Sequence, residues 1–104
     1  MKYLCNSFSL NMLDRGGSIL LSVIPLSLEQ AKDYGTNTHS VVGHEDTARV
    51  LSTILGYEVK YNRETVTMKF GDNAIVAQYS GTRLPEGATA LPEGGKIEFW
   101  LVRV

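Results

Sequence analysis

The stretch Val42-Gly43-His44-Glu45-Asp46-Thr47 joins a small, flexible glycine to an imidazole at the start of a helical pattern. Backbone N–H groups at a helix start point outward without partners, and the macrodipole is positive there. Such an end suits an anion, most simply a phosphate. An imidazole in the same place can give a proton to a leaving oxygen. Together Gly43 and His44 predict a phosphate-handling site. An exposed histidine that merely begins a helix produces the same local pattern, so the rest of the chain must decide.

The elements that must position His44 follow from apolar periodicity. A helix is predicted from about His44 to Leu55, ending at Gly56, with Ala48, Leu51 and Leu55 on one face. Glu45 and Asp46 suit its positive first turn and receive no catalytic role. Lys2 to Cys5 reads as a short first strand, and Ser18 to Ile24, nearly continuously apolar, as a central strand covered on both faces and ended by Pro25. Ser27 and Gln30 form a capping box that opens a helix from Leu28 to Tyr34, closed by Gly35. His39 falls in a polar loop and reads as solvated. Three strand-like runs follow: Tyr57 to Tyr61, Thr65 to Phe70, and Asn73 to Ser80, the last two joined by a Gly71-Asp72 hairpin turn. Lys96 to Val104 is the final strand, with Ile97, Phe99 and Leu101 on one face and Trp100 and Val102 on the other. The order β, β, α, α, β, β, β predicts one α+β domain over 1–104, a mixed sheet of about five strands with flanking helices.

Composition narrows the function classes. The chain has 104 residues, 43% of them hydrophobic, and net charge −1. One compact domain follows, and a protein that coats long nucleic acid does not, because such proteins carry a basic face. A single cysteine, Cys5, permits no internal disulfide and reads as a small buried residue of the first strand. The N-terminus lacks a signal peptide's apolar run, and Ile19 to Leu26 is too short to cross a bilayer, so a soluble, cytoplasmic protein is expected. There is no Walker loop, no G-x-G-x-x-G and no zinc-ligand spacing.

Two further groups of polar residues stand out. Asn6, Ser9 and Asn11 lie close together after the first strand, where they can satisfy local turn groups or grip a ligand. Arg83 and Glu86 lie three apart around a Pro-Gly turn and can face the same side, or form an exposed loop salt bridge worth little. Leu91-Pro92-Glu93-Gly94 echoes Leu84-Pro85-Glu86-Gly87 and reads as repeated turn chemistry. Arg63, at the tip of a turn, reads as a solvated charge.

Asn6-Ser7-Phe8-Ser9-Leu10-Asn11-Met12-Leu13, Gly43-His44 with Thr47, and Arg83-Leu84-Pro85-Glu86-Gly87, in that order, resemble the viral and prokaryotic ring nucleases that degrade cyclic tetra-adenylate. That ring is the second messenger of type III CRISPR defence, and viral members of the family act as anti-CRISPR proteins. Asn62-Arg63 matches at its expected place, so the resemblance spans nearly the whole chain. It implies His44, Arg83 and Glu86 as catalytic residues. Asn6, Ser9, Asn11, Met12 and Gly43 become ligand-gripping positions, Arg63 a second basic contact and Gln78 a further ligand contact. It also implies a two-fold homodimer that binds the ring at its interface, with no cofactor, no metal and no membrane partner. The segment from Gly87 to Gly95 is short and rich in Gly and Pro where that family carries a longer helical insert.

Those residues suit cleavage by a neighbouring 2′-hydroxyl. Asn6, Ser9, Asn11 and the helix start would hold the phosphodiester in line. Arg83 would offer a planar fork to its oxygens, and His44 would protonate the leaving 5′-oxygen. The alternative from a different class is a non-catalytic protein: a sponge for the messenger, or a regulator that binds nucleic acid or protein.

Overall fold

The computed structural model describes residues 1–104. Its regular elements are β1 (Lys2–Cys5), a single 3-10 turn (Leu10–Met12), β2 (Ser22–Leu26), α1 (Leu28–Gly35), β3 (His39–Ser40), α2 (Glu45–Leu55), β4 (Asn73–Ser80) and β5 (Lys96–Arg103). The strands form one mixed sheet in the order β2-β5-β4-β1-β3. β1 runs parallel to both β3 and β4, whereas β5 is antiparallel to β4 and β2.

Period-two patterning gives this sheet two apolar faces. Leu4, Ile75, Ala77, Phe99 and Leu101 face the helices and pack with Ala31, Ala48, Leu51 and Leu55. Their strand neighbours Cys5, Ala74, Val76 and Val102 face the opposite side, where Val66 and Met68 cover them. Leu51 is fully buried, which stabilises the fold by roughly 1.5–3 kcal/mol. Burial also pushes the Cys5 thiol up to about 12, so it is inert packing rather than a nucleophile.

Both helix ends are set by local chemistry. Ser27 N–H donates to Gln30 Oε1 at 2.9 Å and Gln30 N–H donates to Ser27 Oγ at 3.1 Å, the predicted capping box. Gly56 closes α2 in the left-handed region with φ of 80°, a conformation glycine reaches without a Cβ penalty.

Five expectations are corrected. The apolar run after Arg15 supplies an edge strand, not a central one: β2 is the last strand of the sheet, and Val23 and Ile24 are 54% and 38% exposed. Pro25 lies inside β2, opposite Trp100, a position that an edge tolerates because one ladder side is free. The runs Tyr57 to Tyr61 and Thr65 to Phe70 are not strands; they make isolated bridges, Tyr61 with Val42 and Met68 with Leu13, outside the strands of the sheet. Val66 and Met68 alternate with polar residues because they plug the second face of the sheet, so the Gly71-Asp72 turn closes no hairpin. Finally, His39 is not simply solvated. It sits in β3 with its Nε2 2.6 Å from Glu64 Oε1 and its ring edge-on to Tyr3.

Candidate functional site

Three parallel strands, β1, β3 and β4, present their C-terminal ends on one side of the domain. Ligands of open α/β sheets bind in the crevice outside such ends. Here β1 runs into Asn6 while β3 runs through Val41-Val42-Gly43 into α2. The two exits are tied together, since Gly43 N–H donates to Asn6 Oδ1 at 3.2 Å. The Asn6 amide therefore bridges parts of the chain 37 residues apart instead of closing a local turn.

A cavity of about 390 Å³ opens at this junction. Asn6, Ser9, Asn11 and Met12 line it from the β1 side, Gly43 and His44 from the helix side, and Arg63 from the far wall. Seven residues singled out from separate parts of the sequence thus share one cleft.

His44 is the N-cap of α2, with an extended backbone (φ −136°, ψ 123°) and no hydrogen bond from its side chain to the helix. The imidazole is exposed. The two acids of the first turn are engaged elsewhere: Arg49 donates to Asp46 Oδ1 at 2.6 Å and to Glu45 Oε1 at 2.8 Å. This leaves the helix N-terminus next to an imidazole that has no carboxylate bound to it, which suits an anion.

Arg63 owes its place to a clamp that sequence reasoning missed. Asn62 N–H donates to Val42 O at 2.9 Å, and Asn62 Nδ2 donates to Ser40 O at 2.9 Å. Asn62 Nδ2 also reaches Glu64 Oε2 at 3.2 Å, while Glu64 Oε1 meets His39. These bonds from His39 and then Asn62 hold the Glu64 carboxyl below its ordinary value. The clamp fixes the 62–64 turn on β3, and the Arg63 stem crosses Gly43 so closely that a Cβ there would lie 3.5 Å from Arg63 Cγ. The guanidinium forms no ion pair within the chain. Asn-Arg-Glu was legible as a turn, but its partners 22 and 25 residues away were not.

Arg83 and Glu86 lie outside this cavity, exposed on the segment between β4 and β5, and make no ion pair with each other. The two Leu-Pro-Glu-Gly copies form the same turn: Ala88 N–H bonds Pro85 O at 3.0 Å and Gly95 N–H bonds Pro92 O at 2.9 Å. Gly87 and Gly94 take matching φ values of 78° and 79°, as the third position of a type II turn requires. The first turn is attached to the helix start, because Gly87 N–H donates to Asp46 Oδ1 at 3.1 Å. Glu86 is thereby carried to the same end of α2 as His44, without contacting it. Gln78 lines a neighbouring cavity that shares Asn6 with the first.

The class of protein is therefore an α+β domain with a polar cleft at parallel strand ends, lined by His44, Arg63 and Glu64. The chain belongs to the STIV B116-like family, whose model matches residues 2–98. It is 35% identical over 89 residues to "Uncharacterized protein 26" of Sulfolobus islandicus filamentous virus, covering 84% of this chain and 74% of that one. It is 30% identical over 110 residues to "Uncharacterized protein ORF116" of Acidianus filamentous virus 1, covering 98% and 94%. Among solved structures it is similar to B116 of Sulfolobus turreted icosahedral virus, with a TM-score of 0.79, 28% identity, and coverage of 99% and 98%. These relatives are proteins of archaeal viruses. No helix of the fold is long and apolar enough to cross a membrane.

Proposed function

We propose that this protein is a metal-independent ring nuclease that opens cyclic tetra-adenylate and so lets a virus evade type III CRISPR defence. The observation that carries the reading is the gathering of Asn6, Ser9, Asn11, Met12, Gly43, His44 and Arg63 around one cleft at the start of α2. Arg63 and the helix N-terminus suit a phosphate, and the amides and hydroxyl suit a ribose.

In the proposed step the 2′-hydroxyl of one nucleotide attacks the adjacent phosphorus. The O2′–P bond forms, the P–O5′ bond breaks, and a 2′,3′-cyclic phosphate remains. His44 gives its proton to the departing 5′-oxygen, worth roughly 10²–10⁴-fold when well placed. Arg83 stabilises charge on the phosphate oxygens. Glu86, carried to the same end of α2, orients His44 once the ring draws the loop against it, while the proton of the 2′-hydroxyl leaves to water. Holding the ring in line contributes most, on the order of 7–11 kcal/mol in favourable cases.

A cleft of about 390 Å³ lies at the small end of ligand pockets, roughly 300–1,000 Å³. A ring of four nucleotides calls for two such clefts, which a two-fold homodimer supplies with the same chemistry on each half. Doubling also explains how a chain of net charge −1 holds a polyanion.

The test is incubation with cyclic tetra-adenylate in EDTA, followed by separation of products. Linear di-adenylate ending in a 2′,3′-cyclic phosphate is the expected result. Ring that is retained but intact makes the protein a sponge, and ring that is neither cut nor bound removes the messenger from the account.

A further inference from the structure

The clamp that holds the 62–64 turn reaches into two cavities. Arg63 and Glu64 line the cleft at the start of α2, whereas His39, Ser40 and Asn62 line a separate cavity of about 720 Å³. His39 therefore takes no part in lining the cleft, and it reaches Arg63 through other side chains. Its Nε2 lies 2.6 Å from Glu64 Oε1, and Glu64 Oε2 accepts from Asn62 Nδ2 at 3.2 Å. Asn62 in turn donates to Ser40 O and Val42 O, each at 2.9 Å.

The two ends of this chain of bonds differ in support. His39 stands on the sheet: it is the register partner of Tyr3 across β1 and β3, and the Tyr3 ring meets its imidazole edge-on at 6.1 Å. Glu64 stands on a turn, and neither it nor Arg63 makes a backbone–backbone bond of its own. The Glu64 carboxyl is held below its ordinary value, so near neutral pH it only accepts, and His39 Nε2 must carry the hydrogen. Arg63 depends on that support. Its guanidinium makes no ion pair within the chain, and its stem rests against Gly43. The backbone of the turn is what remains to aim it. A guanidinium binds phosphate through a rigid planar fork, so a displaced turn loses bonds.

We infer that His39 is a positioning residue for Arg63, acting through Glu64 and Asn62 from outside the cleft. The inference rests on the proposed function for the identity of the anion, and adds a residue that sets how firmly the cleft holds it. The His39 and Glu64 side chains are 42% and 43% exposed, so His39 can be replaced without opening the core.

The experiment measures binding of cyclic tetra-adenylate whose 2′-hydroxyls are replaced by hydrogen. It compares the wild type with His39→Ala, His39→Gln, Arg63→Ala and the variant carrying both alanines. His39→Ala should bind about five-fold more weakly, as loss of an exposed charged contact implies. His39→Gln keeps a donor for Glu64 Oε1 and should recover most of that loss. In the Arg63→Ala background, His39→Ala should cost nothing further, because the pair acts as one unit. Wild-type affinity in His39→Ala overturns the inference. An equal loss in the Arg63→Ala background overturns it too, since the defect is then structural. Should His39→Ala melt early, His39→Phe, which keeps a ring beside Tyr3 and lacks the donor, takes its place. Order parameters of the Arg63 backbone amide, measured by NMR without ligand, separate this inference from the nuclease reading. They should fall from about 0.85 to below about 0.6 in His39→Ala. If the wild type ignores the ring while that order is lost, the ring falls and the positioning stands. If the ring binds and Arg63 stays ordered in His39→Ala, the positioning falls and the ring stands.

Discussion

The wall that carries His44 and Arg63 and the loop that carries Arg83 and Glu86 are built by different means. The wall hangs on the sheet: Asn6 holds Gly43, Asn62 holds Val42 and Ser40, and Glu64 holds His39. Each of those bonds links segments far apart in sequence, so the cleft is fixed by the same contacts that fix the fold. The loop from Gly81 to Gly95 closes mainly on itself, through two type II-like turns and a bond from the Tyr79 hydroxyl to Thr82 O. One contact at its first turn, Gly87 with Asp46, ties it to α2. Under the proposed function the two divide the labour: a preformed wall would receive the ligand, and a lightly tethered loop would bring the remaining charged groups to it.

His44→Ala breaks the chemistry of the wall and not its shape. Cleavage should fall by about 10²–10⁴-fold in single-turnover assays, with ring binding largely intact. Turnover at the wild-type rate would remove His44 from the reaction.

Arg83→Ala probes the loop. Both affinity and rate should fall, the rate by about 10²–10³-fold if the guanidinium meets the transition state as an oxyanion donor does. Equilibrium binding and single-turnover kinetics measure the two separately, and unchanged kinetics make Arg83 a bystander.

Asp46→Ala cuts the tether. Hydrogen exchange over residues 82–95 should quicken and cleavage slow several-fold. Thermal stability should change by only about 1 kcal/mol, because Glu45 still engages Arg49. Exchange in the loop identical to wild type would show that Gly87 is held by something else.

The smallest effect is a pH dependence of the wall. The Glu64 carboxyl is held below its ordinary value by bonds from His39 and Asn62. A carboxyl lowered in the folded state adds stability that is full above its unfolded value, about 4.3, and is lost as pH falls through the folded value. Amide protection factors around Asn62 to Glu64 should therefore fall at acid pH before those of the helices do. Glu64→Gln should flatten that dependence, and an unchanged profile would take Glu64 out of the clamp.

The sequence disclosed whatever depends on short range. Ser27 with Gln30, Gly56, and the opposite-facing Phe99 and Trp100 announced a helix start, a helix stop and a two-faced strand from local chemistry alone. It misled where local pattern and tertiary role diverge. The apolar stretch around Val23 and Ile24 looks central but forms an edge. Val66 and Met68 alternate like a strand while plugging a sheet face. The cleft residues were legible as polar positions next to strand and helix ends. That Asn6 would meet Gly43, and Arg63 cross it, depends on β1 and β3 lying side by side, which no local spacing encodes.

The most direct test is a crystal structure of the protein bound to cyclic tetra-adenylate whose 2′-hydroxyls are replaced by hydrogen, so that the ring cannot be cut. The account predicts one phosphate with the His44 imidazole about 2.6–3.2 Å from its 5′-oxygen, the Arg83 guanidinium on its free oxygens, and Glu86 facing His44, on two symmetry-related halves. A ring seated away from α2, or Arg83 and Glu86 left on separate surfaces with the dimer assembled, would contradict it.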